Sequence, residues 1–189
     1  MVLLRSVAAA VLLAAAAFPA LAADDILDAI DQGRKAYQAG DLAGAKQSLD
    51  LASQLIGQKN AEGFAALLPA PLAGWKAEKA ETAAVGVAVF GASTASRRYT
   101  GPGGKEVEIR ITGDSAMVMQ FAQFLINPAI AGAMGKIVRI GNQRAIQTHD
   151  GSINMVIDNK FLVTVEGSAD AASKLAYAQA VDVAKLSKM

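Results

Sequence analysis

The stretch from 105 to 166 constrains the fold of this chain most. In "KEVEIRITG", Val107, Ile109 and Ile111 alternate with Glu106, Glu108 and Arg110, and in "SINMVIDNKFLVTVEG" the apolar Ile153, Met155 and Ile157, then Phe161, Val163 and Val165, keep the same period of two. Successive side chains of a strand point to opposite faces, so each run has one dry face and one wet face. That is the pattern of an antiparallel sheet with one face in water; parallel strands are apolar on both faces. Turn residues separate the runs: "GPGG" at 101–104, Asp150-Gly151 as a two-residue hairpin turn, and Asp158-Asn159. "KIVRIGNQRAIQTH" bends or turns at Gly141-Asn142, and the third part of the chain reads as three strands in a meander.

Upstream the apolar period changes to that of a helix. Ile26, Ile30, Gly33 and Tyr37 recur at spacings of four, three and four, with Asp24 or Asp25 as the N-cap. Gly40 ends this helix and Asp41 caps the next, in which Leu42, Ala45, Leu49, Ala52 and Ile56 repeat the rhythm until Gly57 supplies a stop. Small residues at Gly33 and Ala45 allow close approach, which predicts an antiparallel αα-hairpin over residues 23–60.

Gly33, Tyr37, the Gly40-Asp41 turn, Ala45 and Ala52 resemble the signature positions of a tetratricopeptide repeat. The large aromatic residue early in the family's first helix is missing, and no second copy follows. Stacked repeats are what make a concave peptide groove, so the resemblance implies a helical hairpin without that groove. The hairpin then either packs on its own domain or recruits a partner through its outer face, where Arg34, Gln38, Gln47 and Leu51 are the candidate contacts.

"NAEGFAALLPAPLAG" predicts a short helical turn ended by Pro69 and an extended linker over 61–74, after which Trp75 opens the first strand. Residues 83–93 are apolar without a clear period, and both strand and loop are open for them. Asp114 caps a helix carrying Met117, Phe121, Phe124 and Leu125, which Asn127-Pro128 terminates, and "AIAGAMG" is a small apolar connection. A last helix begins at Ser168 or Asp170 and turns Leu175, Ala178 and Val181 to the sheet. The predicted fold is α+β, an N-terminal αα-hairpin followed by an antiparallel sheet with helices packed on one face, the sheet domain spanning 75–189. Residues 64–189 resemble exported proteobacterial proteins without an assigned activity, which implies none here.

The chain opens with Arg5, an apolar run from Val7 to Phe18, and Pro19 to Ala22, the form of a cleaved secretory leader over 1–22. The expected compartment is the periplasm, with no membrane anchor left in the mature chain. Removing the leader takes Arg5 and no acid, so eighteen basic against seventeen acidic side chains become seventeen of each. Neither sign dominates, which argues against a nucleic-acid or anionic-lipid surface. The absence of cysteine excludes disulfides, thiolate metal sites and thiol nucleophiles. Stability must therefore come from an apolar core.

Chemistry is sparse. His149 is the only histidine, so a triad or a two-histidine metal site must use it, and it stands at a hairpin tip as a solvated turn residue. Glu106 and Glu108 are about 7 Å apart by strand rise, a spacing that glycoside hydrolysis could use. Both lie on the wet face, however, where Arg97 or Arg110 can pair with them. Pairing Thr100 with Lys105 would place Arg98 opposite Val107 on the dry face, so either the glycine-rich turn shifts the register or Arg98 sits at the core's rim and could bind an anion. Met117, Met119, Met134 and Met155 read as core filler, since no Met-x-x-Met or Met-plus-histidine cluster points to copper. No cofactor is implied. The leading expectation is a non-catalytic periplasmic interaction or accessory protein with a periplasmic protein as partner. The alternative is a binding module that holds a small apolar ligand between the sheet and Met117, Phe121, Phe124 and Leu125.

Overall fold

The computed structural model describes residues 24–84, 92–113, 118–119, 122–123 and 127–189. Helix α1 (Asp25–Gln38) starts where the Asp24 carboxylate accepts hydrogen bonds from the amides of Ile26 and Leu27, and Gly40, at φ +79°, ends it. Asp41 accepts from the amide of Gly44 and opens α2 (Leu42–Leu67). The helix does not stop at Gly57, and the turn expected after Asn60 belongs to it. A single glycine weakens a helix by about 1 kcal/mol, whereas ending one takes a proline or an αL cap, and the next proline is Pro69.

The two halves of α2 are apolar on different sides. Ala45 and Ala52 face α1, while Ala61 and Phe64, with Leu68 just beyond the helix, are buried in the core with the sheet. Phe64 lies roughly 120° round the helix from Ala52. One continuous rod therefore roots in the sheet domain by its second half and carries α1 on its first; no other element makes comparable contact with α1 among those described.

The sheet consists of β1 (Lys76–Ala77), β2 (Glu81–Ala84), β3 (Ser93–Thr100), β4 (Glu106–Gly113), β5 (Gly135–Ile140), β6 (Gln143–Thr148), β7 (Ile153–Ile157) and β8 (Phe161–Glu166). All described pairs are antiparallel, in the order β1-β3-β4-β8-β7-β6-β5, with β2 also on β3. Lys76 pairs with Thr100 but Glu81 with Ser96, so one extra residue bulges between β1 and β2 along that edge. Four strands form the β5–β8 meander where three were expected, because Gly141-Asn142 is a true turn joining Ile140 to Gln143. Thr148 and Ser152 bracket His149, Asp150 and Gly151, with Gly151 at φ +80°. That is a three-residue loop closed by a left-handed glycine, in place of the expected two-residue turn.

The "GPGG" loop spans 101–105, and Gly103 and Gly104 are both left-handed, at φ +69° and +72°. This five-residue connection pairs Thr100 with Glu106, Tyr99 with Val107 and Arg98 with Glu108. The loop thus moves the register by one from the expected pairing. Arg98 goes to the wet face and Arg97 to the dry one.

The dry face holds Tyr99, Val107, Ile109, Ile111, Met155, Val163 and Val165, all buried. Phe64 covers it from α2, Tyr177 and Ala178 from α4 (Ala171–Gln179), Leu186 from α5 (Val183–Leu186) and Val181 from the connection between them, and Asp170 and Asp182 cap the two helices. The fold is α+β with the helical hairpin at its N-terminus. Residues 128–134 are helical, not a plain connection: Pro128 occupies the first position of α3 (Pro128–Met134), which touches β5 and β6. Ile146 and Leu162 alternate to the second face and are buried there as well.

Residues 68–75 are pinned to the dry face. Tyr99 donates its hydroxyl to the Pro69 carbonyl at 2.7 Å, Arg97 donates through one terminal nitrogen to the carbonyls of Leu68 and Pro69 at 3.3 Å each, and the Leu72 amide donates to the Tyr177 hydroxyl at 3.3 Å. The Trp75 ring meets Tyr177 edge-on at 5.1 Å.

Candidate functional site

The two helices of the hairpin meet through small side chains. Ala29 and Gly33 of α1 and Ala45 and Ala52 of α2 are buried. A Cβ on Gly33 would stand 3.1 Å from Cγ of Leu49 and 3.4 Å from the Ala45 carbonyl oxygen. A seam this narrow turns the larger apolar residues beside it outward. Ile30 is 39% exposed, Tyr37 68%, Leu42 67%, Leu49 51% and Ile56 43%.

Helical geometry places these five together. At 3.6 residues per turn, Ile30 lies roughly 100° round α1 from Ala29, and Tyr37 roughly 40° from Gly33. Leu42 and Leu49 lie roughly 60° and 40° round α2 from Ala45, and Ile56 roughly 40° from Ala52, all in the same rotational sense. In an antiparallel pair, equal rotation on both helices leads to the same side. The five residues therefore form one apolar strip along one side of the hairpin. The sequence pattern groups them with Gly33, Ala45 and Ala52 on one face; the small residues take the middle of the seam, Leu49 packs against Gly33 at its edge while half exposed, and the other large residues are displaced outward by a fraction of a turn.

The opposite side is mixed: Leu51 is 47% exposed there, beside Ala29, Leu55 and the acids Asp25 and Asp28. Gln32, Asp41, Gln47, Ser48, Leu51 and Gln54 line an open groove there. Of the four candidate contacts, Gln47 and Leu51 meet in this groove. Arg34 sits at the rim of the apolar strip, ion-paired to Asp31 at 3.0 Å, and Gln38 is exposed at the end of α1. Sequence reasoning did not single out Ile30, Tyr37, Leu42, Leu49 and Ile56 as surface; the available signal was that alanines and glycine alone suffice to close the seam.

The second candidate set, Met117, Phe121, Phe124 and Leu125, lies outside the described residues. Of their neighbours, Val118 and Ala122 are buried and Met119 is exposed.

The titratable groups are held in local contacts. Glu108 accepts from Arg98 at 3.3 Å and from Arg110 at 2.7 Å on the wet face. That hydrogen bond, with the charges of Glu106, Glu108 and Glu78, raises the Arg98 guanidinium above its ordinary value. Arg97, which sequence reasoning had paired with these carboxylates, is on the other face, and its Nε is buried without a hydrogen-bond partner among the described residues. At the β6–β7 loop, Asp150 accepts from the hydroxyls of Ser152 and Thr148, which hold its carboxyl down at about 2. Buried Lys174 donates to the Asp150 carbonyl at 2.7 Å. His149 is exposed and enters none of the hydrogen bonds found among the described residues.

Among the described residues no three His, Cys, Asp or Glu side chains gather where they could hold a metal ion, and no helix is long and apolar enough to cross a membrane. Compared with known proteins, the chain matches no family model, no curated protein and no solved structure.

Proposed function

We propose that this protein is a non-catalytic interaction or accessory protein, exported to the periplasm, whose tetratricopeptide-like hairpin meets a protein partner through the strip of Ile30, Tyr37, Leu42, Leu49 and Ile56. One observation carries the reading: these large apolar side chains are exposed along one side of the hairpin, while α1 has α2 as its principal neighbour. Single exposed apolar residues are ordinary on a protein surface, but a contiguous set on one side marks a contact surface. The sheet domain serves as a rigid mount, with Phe64 fixing the rod that presents the strip. The leader-like residues 1–22 support the assignment to the periplasm.

The reading is tested by placing a photo-crosslinking amino acid at Leu42 and, as control, at Gln54 on the other side of the hairpin, in cells that export the chain. The expected result is a discrete adduct from position 42 and none from position 54. No adduct from 42, or equal adducts from both, would contradict it.

A further inference from the structure

We propose that the occupant of the apolar strip is the same strip on a second copy of this chain, so that two hairpins pack face to face as four helices about a two-fold axis. The inference rests on the reading of the hairpin as a contact surface and goes beyond it by naming the partner.

Spacing is the first argument. Leu42, Leu49 and Ile56 recur every seven residues, and Ile30 and Tyr37 are seven apart on the neighbouring helix. A seven-residue repeat keeps an apolar seam facing another helix of similar direction over several turns, which suits helix-on-helix contact better than a loop or a sheet.

Area is the second. Taking roughly 150 Å² for a fully exposed large apolar side chain, the strip leaves on the order of 400 Å² of apolar surface per copy. A standard interface buries about 800 Å² per partner with somewhat more than half of it apolar, so the strip and the side-chain stems around it match that size.

Charge is compatible with a second copy as well. Arg34 and Lys46 flank the strip, and each is paired with an acid further round its own helix, Arg34 with Asp31 at 3.0 Å and Lys46 with Asp50 at 2.5 Å, Asp50 also lining the groove on the other side. Because each flanking cation is already neutralised within its own helix, a two-fold partner brings no unpaired like charges to the strip. Flanks with no excess of either sign select neither an acidic nor a basic stranger.

Closure at two copies follows from the unequal sizes of the hairpin's apolar surfaces. Head-to-tail stacking would need a second apolar face as large as the strip, and elsewhere on the hairpin the exposed large apolar residues are Leu27 and Leu51, each set among polar neighbours. The strip is the larger of the hairpin's exposed apolar sets and meets its match in itself, the condition for an isologous dimer.

Sedimentation equilibrium of the chain purified from the exporting cell, from micromolar to several hundred micromolar, tests this with Leu42→Asp and Tyr37→Lys. Both positions are highly exposed, and each new charge suits its helix end, an acid near the start of α2 and a base near the end of α1, so neither variant should unfold the hairpin. Unchanged far-ultraviolet circular dichroism checks that. The expected result is a monomer-dimer equilibrium for the wild type and a dissociation constant raised at least about tenfold in each variant. A wild type that stays monomeric throughout, or a dimer that both variants leave intact, would overturn the proposal. If the wild type is monomeric while position 42 still crosslinks to a different protein, the contact-surface reading stands and only the second copy falls. A monomer with no adduct at position 42 sinks both.

Discussion

Gly113 shows how tightly the hairpin's mount is fitted. A Cβ there would stand 2.5 Å from Cζ and 2.9 Å from Cε2 of Phe64, whose ring meets Phe161 edge-on at 5.6 Å. The sheet offers α2 a hole at Gly113, and Phe64 fills it. Gly113→Ala is therefore expected to destabilise the fold by about 1–3 kcal/mol in urea denaturation, with Phe64→Leu in the same chain recovering part of the loss. A neutral Gly113→Ala would mean that the ring does not occupy that space.

Tyr99 gives the residue-scale account a pH dependence. Burial pushes its phenol up to about 12, against an ordinary value near 10, while its hydroxyl donates to Pro69. The folded state holds this proton more tightly than the unfolded state. The contribution is thus fully present below pH 10 and declines as pH rises from about 10 through about 12. Tyr99→Phe should cost about 1 kcal/mol at pH 8 through the lost hydrogen bond, yet flatten the fall in melting temperature between pH 10 and 12. Wild type and variant falling in parallel over that range would refute the assignment.

At the scale of elements, the continuity of α2 matters most, because it makes the hairpin an extension of the core. Lys59 is exposed within the stretch where the two apolar faces change over. Lys59→Pro removes a backbone donor and clashes with the preceding turn, so an uninterrupted helix should lose about 3 kcal/mol or more in chemical denaturation. A loss below about 1 kcal/mol would indicate two helices joined near Gly57. The alternating strands β4, β7 and β8 were legible because period-two patterning comes from burial on one face; the cap at Asp41 was legible because a carboxylate before a helix has one obvious use, while Asp24 and Asp170 each stood as one of two candidates. The end of α2 was not legible, since Gly57 looks the same in a helix interior and at a C-cap, and the deciding contact, Phe64 on Gly113, joins residues far apart in sequence. The β3–β4 register was off by one for a similar reason: two consecutive left-handed glycines lengthen the loop, and nothing local states which residues leave the ladder.

For the whole molecule, the sequence conveyed an α+β chain with a helical hairpin in front, but its periodicity grouped Ile30, Tyr37, Leu42, Leu49 and Ile56 with the buried seam, and all five are exposed. Periodicity locates an apolar stripe to within a fraction of a turn, and that fraction decided whether Tyr37 and Leu42 were seam or surface. Size resolves it: Ala29, Gly33, Ala45 and Ala52 can approach closely, and once they do the large residues have nowhere to go but out. Local anchors, Arg97 and Tyr99 on residues 68–69, Lys174 on the β6–β7 loop and Glu108 between two arginines, brace the sheet domain, and most of the exposed large apolar residues among those described lie in the hairpin.

The chain has no cysteine, so a single introduced thiol reports its own surroundings. The most direct measurement is the alkylation rate of Leu42→Cys and of Gln54→Cys, each compared between the exporting cell and the purified chain at high dilution. Slowing of at least about fivefold at position 42 in the cell, with position 54 unchanged, is the result expected if the strip is covered by a partner. Equal rates at both positions under both conditions would contradict the claim that this side of the hairpin is where the protein meets another.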